Sequence, residues 1–96
     1  MRISFNPLAE RELNDAAQYY ELETPDLGGA FVNEIERTCR RIIEHPEAAP
    51  VAVGTIRRRL VNRFPYALLY SVHGETVRIL AVMNLRRRPT YWVGRS

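Results

Sequence analysis

A chain of 96 residues with 46% hydrophobic and 26% charged side chains suits a single globular domain and is too apolar to remain disordered. No apolar run approaches the ~20 residues of a membrane span, and the first residues lack the apolar stretch of a signal peptide. One cysteine, Cys39, permits no internal disulfide. The two histidines, His45 and His73, offer no metal-ligand spacing, so a cytoplasmic protein without metal or cofactor is expected.

The net charge of +3 conceals a division along the chain. Residues 1–50 carry ten acids against five arginines, and residues 51–96 carry one acid, Glu75, against nine arginines. Every basic side chain is arginine; there is no lysine. A basic half of this kind suits a nucleic acid, a ribonucleoprotein or an acidic protein partner, and charge alone does not choose among them.

Arg2 to Phe5 alternates in character and predicts a short edge strand. Asn6-Pro7 then supplies a cap followed by a proline at the first helical position. Ala9, Leu13, Ala16, Ala17 and Tyr20 recur at helical steps as one apolar stripe, with Glu10, Glu12, Asp15 and Glu21 mostly off it. Thr24-Pro25 repeats the cap-then-proline signal and predicts a second helix striped by Phe31, Ile35, Thr38 or Cys39, and Ile42. His45-Pro46 ends that helix, because a residue before proline is pushed out of helical geometry. Residues 47–54 read as a connecting loop.

The remainder predicts three successive antiparallel strands. The first runs from Ile56 to Asn62, with Phe64-Pro65-Tyr66 as the corner after it. Tyr66 to Val72 and Thr76 to Asn84 follow, joined by the tight turn His73-Gly74-Glu75. Ile79 to Met83 has no polar interruption, which predicts a central strand buried on both faces. Pro89 is expected to stop the chain from continuing as strand. The helical hairpin must bury its stripe on the sheet, so the expected fold is α+β, a two-layer β-α-α-β-β-β domain over residues 1–96 with an antiparallel sheet.

Two arginine triplets stand out. Arg57-Arg58-Arg59 lies in a strand and is either a solvated face or a grip on phosphate or carboxylate. Arg86-Arg87-Arg88 follows the buried strand and stands beside Tyr91 and Trp92, a pattern suited to stacking or to anchoring an interface, the other reading of the two rings being simple packing of the C-terminal tail across the sheet. His73 reads as a turn residue, His45 as a helix-end residue and Cys39 as a small core residue. No Ser-His-Asp or Cys-His arrangement is legible, and arginine stays protonated where a general acid or base must titrate.

The element order, together with Arg58, Phe64-Pro65-Tyr66, Tyr70, Arg78-Ile79, Ala81-Val82 and Arg86-Arg87-Arg88-Pro89 before Tyr91-Trp92, resembles the RelE/ParE superfamily of type II toxins over nearly the whole chain. It resembles the ParE-like members more closely. The resemblance implies a toxin held inactive by a cognate antitoxin and acting by binding DNA gyrase, with no catalytic residues. Arg86, Arg87, Arg88, Tyr91 and Trp92 would then bind the target, and Arg57, Arg59 and Arg78 the antitoxin. The alternative is a RelE-like, ribosome-dependent mRNA endoribonuclease that uses Arg58, Arg86, Arg87 and Tyr91. An inactive, toxin-like binding module is the third reading. Many relatives have histidine where Asn84 stands, and asparagine cannot titrate.

Overall fold

The computed structural model describes residues 1–88 and 90–96, so the expected strand stop at Pro89 lies outside the described residues. Its elements are β1 (Arg2–Phe5), α1 (Pro7–Glu23), α2 (Leu27–Glu44), β2 (Val51–Val53), β3 (Ile56–Leu60), β4 (Tyr66–His73) and β5 (Thr76–Asn84). The five strands form one sheet in the order β1-β5-β4-β3-β2. Strands β2 to β5 are antiparallel, whereas β1 pairs with β5 in parallel, so the sheet is mixed. The parallel pair follows from chain direction: two helices intervene before the chain returns to the sheet.

Helix α1 begins as its sequence dictates. Asn6 Oδ1 accepts a hydrogen bond from the Leu8 amide at 2.7 Å, and Pro7 occupies the first turn. The second start differs from expectation. Thr24 is the C-cap of α1, its N–H donating to the Tyr20 carbonyl, and α2 starts only at Leu27 after a left-handed Asp26 (φ 72°). No side chain of Asp26 caps it. Instead Glu21, on the preceding helix, accepts hydrogen bonds from the Asp26 and Gly28 amides, both at 3.0 Å. The loop expected over 47–54 contains β2, whose three residues are too short to show a strand alternation.

The helices cover one sheet face. Ala9, Ala16, Phe31, Ile35 and Ile42 pack there on Leu68, Tyr70, Val77, Ile79 and Val82. Tyr20, Phe31, Phe64 and Tyr66 join both helices to the Phe-Pro-Tyr corner through rings 4.9–6.3 Å apart, mostly edge-to-face. Strand β5 is central and almost wholly buried, as its apolar run predicts. A smaller cluster on the other face joins Ala67, Leu69, Ala81 and Met83 to Trp92 from the C-terminal tail.

Beyond Ile79, β1 no longer covers the edge of β5, and side chains complete its backbone hydrogen bonding. The Val82 amide donates to Glu12 of α1 at 3.1 Å, and the Leu80 carbonyl accepts from Arg95 of the tail at 3.1 Å. Asn6 Nδ2 donates to the Ser96 carbonyl at 2.8 Å, which returns the end of the tail to the start of α1.

Gly28 marks the closest approach of the helices. A Cβ added there would lie 2.5 Å from the Ala17 carbonyl oxygen, a backbone atom, and 2.9 Å from the Glu21 Cβ. Gly28→Ala is therefore expected to lower stability by about 1–3 kcal/mol, the overpacking cost exceeding the ~1 kcal/mol gain in helix propensity. Chemical denaturation of the two proteins measures the difference; a more stable alanine variant would mean the helices separate freely.

Candidate functional site

The turn after β5 is built by Asn84. Its side-chain Oδ1 accepts from the Arg86 amide at 2.9 Å and its carbonyl accepts from the Arg87 amide at 3.0 Å. The Leu85 amide donates to the Pro65 carbonyl at 2.9 Å, which ties the turn to the Phe-Pro-Tyr corner. Arg86, Arg87 and Arg88 are all exposed on this turn. Three adjacent guanidinium groups repel one another, and solvent is where that repulsion costs least.

Arg87 stacks on the ring of Tyr91, its guanidinium carbon 4.1 Å from the ring centroid, and Arg95 lies 5.1 Å from the same centroid. The Tyr91 hydroxyl donates to Glu12 Oε2 at 2.6 Å, and Arg95 donates to Glu12 Oε1 at 2.9 Å. Burial first, then the bond to the Glu12 carboxylate and its charge, hold the Tyr91 phenol far above the ordinary tyrosine value. A phenol raised that far stays protonated at neutral pH and is a poor general base, which counts against Tyr91 as a proton carrier. Burial likewise raises the Tyr20, Tyr66 and Tyr70 phenols.

Beside this turn lies a cleft of about 500 Å³ lined by Glu12, Asp15, Tyr19, Tyr20, Pro65, Tyr66, Asn84, Arg86, Arg87 and Tyr91. It is aromatic-walled, with cationic groups on one side and carboxylates on the α1 side. A second groove of about 350 Å³ involves Arg58, Leu69, Met83, Arg87, Thr90 and Trp92. Arg87 thus borders both.

The other expected site residues are distributed differently. Trp92, open in sequence to either target anchoring or packing of the tail across the sheet, is a core residue only 1% exposed, and its Nε1–H has no hydrogen-bond partner among the described residues. Its position follows from the small side chains of Ala67 and Ala81, which leave room for an indole on that sheet face. Arg57 donates to the Glu47 and Ala49 carbonyls at 3.1 and 2.7 Å, fastening the loop before β2. Arg59 is half-buried beside it. Arg78 donates to Ser4 Oγ and the Phe5 carbonyl at 3.2 and 3.0 Å, tying β1 to β5. Arg57 and Arg59 pair with Tyr70 and Leu68, whereas Arg78 pairs with Ser71, so these arginines occupy opposite sheet faces.

Two polar arrangements went unread in the sequence. Ser71 Oγ and His73 Nε2 stand 2.8 Å apart, at the far end of the β4–β5 ladder from the arginine turn. Glu12 is the larger omission. It lies three residues after Ala9 and four before Ala16, both buried, so helical spacing does place it on the packed side. Among the described residues, no group of three or more His, Cys, Asp or Glu is placed to hold a metal ion. Among the described residues, no helix is long and apolar enough to cross a membrane.

Comparison with known proteins agrees with this architecture. Residues 3–89 match the family model described as the ParE toxin of the type II toxin-antitoxin system, parDE. The fold is similar to a solved structure titled "Chromosomal ParDE TA system from P. aeruginosa", with a TM-score of 0.77 and 19% sequence identity, covering 90% of this chain and 97% of that one. A search of curated protein sequences found no match.

The phenols bind their protons more tightly in the folded than in the unfolded chain. Their contribution to stability is therefore complete below the ordinary tyrosine value of 10.0 and is lost as pH rises beyond it toward the folded values. Unfolding measured across alkaline pH should show stability falling above about pH 10, and Tyr91→Phe should make that fall shallower. An unchanged slope in the phenylalanine variant would mean that the Glu12 carboxylate does not hold the Tyr91 proton.

Proposed function

We propose that this chain, which belongs to the ParE toxin family of type II toxin–antitoxin systems, arrests growth by binding DNA gyrase through its exposed arginine turn. The observation that carries this reading is the set Arg86, Arg87 and Arg88, exposed on a turn fixed by Asn84, with Arg87 stacked on a tyrosine whose proton is committed to Glu12. Guanidinium groups keep their charge throughout the physiological range and grip carboxylates or phosphates with a planar fork. Such a surface is suited to binding rather than to proton transfer. Tyr91 contributes its ring to the grip, and Trp92 supports it from inside the core.

Its partner in the resting cell would be a ParD-type antitoxin, as the family description and the ParDE structure suggest. An antitoxin segment rich in acids would meet the basic half of the chain, with Arg57, Arg59 and Arg78 as contacts using donors left over from their backbone bonds. One observation favours the endoribonuclease reading: Arg58 and Arg87 line a common groove, where two guanidinium groups could hold a phosphate.

Purified protein added to gyrase and supercoiled DNA is expected to accumulate cleaved gyrase–DNA complexes. Arg87→Ala, still folded and still bound by antitoxin, is expected to lose at least about tenfold in potency, as removal of a charged interface anchor does. It should also fail to arrest growth when expressed. Full potency in the alanine variant would remove the arginine turn from the mechanism, and codon-periodic cuts in translated messages would replace gyrase with the ribosome.

A further inference from the structure

We propose that Glu12 is a positioning residue for the toxin's grip, fixing through the Tyr91 hydroxyl the ring on which the Arg87 guanidinium stacks. This inference rests on the reading of Arg86, Arg87 and Arg88 as the target-binding turn. Glu12 stands in the second turn of α1, a helix of 17 residues, so its backbone is rigid. Its carboxylate cannot swing freely either: Oε1 accepts from the Val82 amide of β5 at 3.1 Å and from Arg95 at 2.9 Å. The remaining oxygen, Oε2, takes the Tyr91 hydroxyl at 2.6 Å, a short and charge-assisted bond. Tyr91 itself belongs to a tail of successive turns, with no helix or strand of its own to orient it.

Among the described residues, the Tyr91 ring is the one side-chain partner found for the Arg87 guanidinium. An arginine that samples many rotamers loses that freedom when it binds, whereas one already stacked on a fixed ring has less to lose. Glu12 therefore acts at a distance from the target, through Tyr91, on the readiness of Arg87 to engage. A purely structural Glu12 would bond β5 and Arg95 and leave Arg87 indifferent to the Tyr91 hydroxyl.

Tyr91→Phe separates the two roles, because it deletes the hydroxyl and keeps the ring as well as the bonds from Glu12 to Val82 and Arg95. Two readouts are compared in the wild type, Tyr91→Phe, Glu12→Gln and Arg87→Ala: gyrase supercoiling inhibition, and the ring-current shift of the Arg87 side-chain protons in NMR spectra of the free protein. Tyr91→Phe is expected to melt cooperatively, to lose most of the Arg87 ring-current shift and to inhibit roughly tenfold less well, the scale of one charged hydrogen bond. Glu12→Gln should reproduce both losses; if it does not fold, Tyr91→Phe decides alone. A Tyr91→Phe variant with the wild-type shift and full potency overturns the role of Glu12. If Arg87→Ala is fully potent, or wild-type protein leaves gyrase untouched, the reading of the turn has failed instead, and the ring-current comparison still judges Glu12.

Discussion

One carboxylate joins three parts of this molecule that are far apart in sequence. Glu12 on the first helix accepts from the backbone of β5 and from two residues of the C-terminal tail, so the helical layer, the central strand and the tail meet at its two oxygens. The Glu12 and Arg95 side chains are only 17% and 15% exposed, so water screens them weakly, but desolvating both also costs free energy. The net stability gained is therefore modest. What the arrangement secures is geometry, because among the described residues β1 pairs with β5 only as far as Ile79 and the tail has no helix or strand to place Tyr91.

Much of the fold was readable because the chain states it locally. Asn6-Pro7 caps the first helix, the apolar run of Ile79 to Met83 requires a central strand, and Gly74 turns the last hairpin with φ at +58°. The second helix starts later than Thr24-Pro25 suggests because its cap comes from Glu21, a side chain of the preceding helix five and seven residues before the amides it serves. Strand β2 and the parallel placement of β1 were hidden because they depend on partners, not on their own few residues. The arginine turn was legible as a cluster. The burial of Trp92 was only one of two open readings, since an indole beside arginines has the same appearance in sequence whether it faces solvent or fills a gap over Ala67 and Ala81.

The arginines divide by what surrounds them, not by their spacing in the chain. Arg57, Arg78 and Arg95 spend donors on backbone carbonyls and tie loops, strands and tail together. Arg86, Arg87 and Arg88 project from a turn whose backbone is held by Asn84 and Pro65. Asparagine at position 84 is thus a builder of the turn, and its inability to titrate is of no consequence for the proposed grip, which depends on fixed charge. Tyr91 completes that surface as an unionised ring, its proton retained by burial and by Glu12.

A permanently charged grip has a measurable signature in how binding responds to pH and salt. The affinity of the purified protein for gyrase, measured from about pH 6 to 9 at several ionic strengths, tests it directly, because arginine does not titrate in that range while its attraction is screened by salt. Affinity that stays level with pH and weakens steadily as salt is added is the predicted result. A sigmoidal or bell-shaped pH dependence centred near neutrality, with little response to salt, would contradict the account.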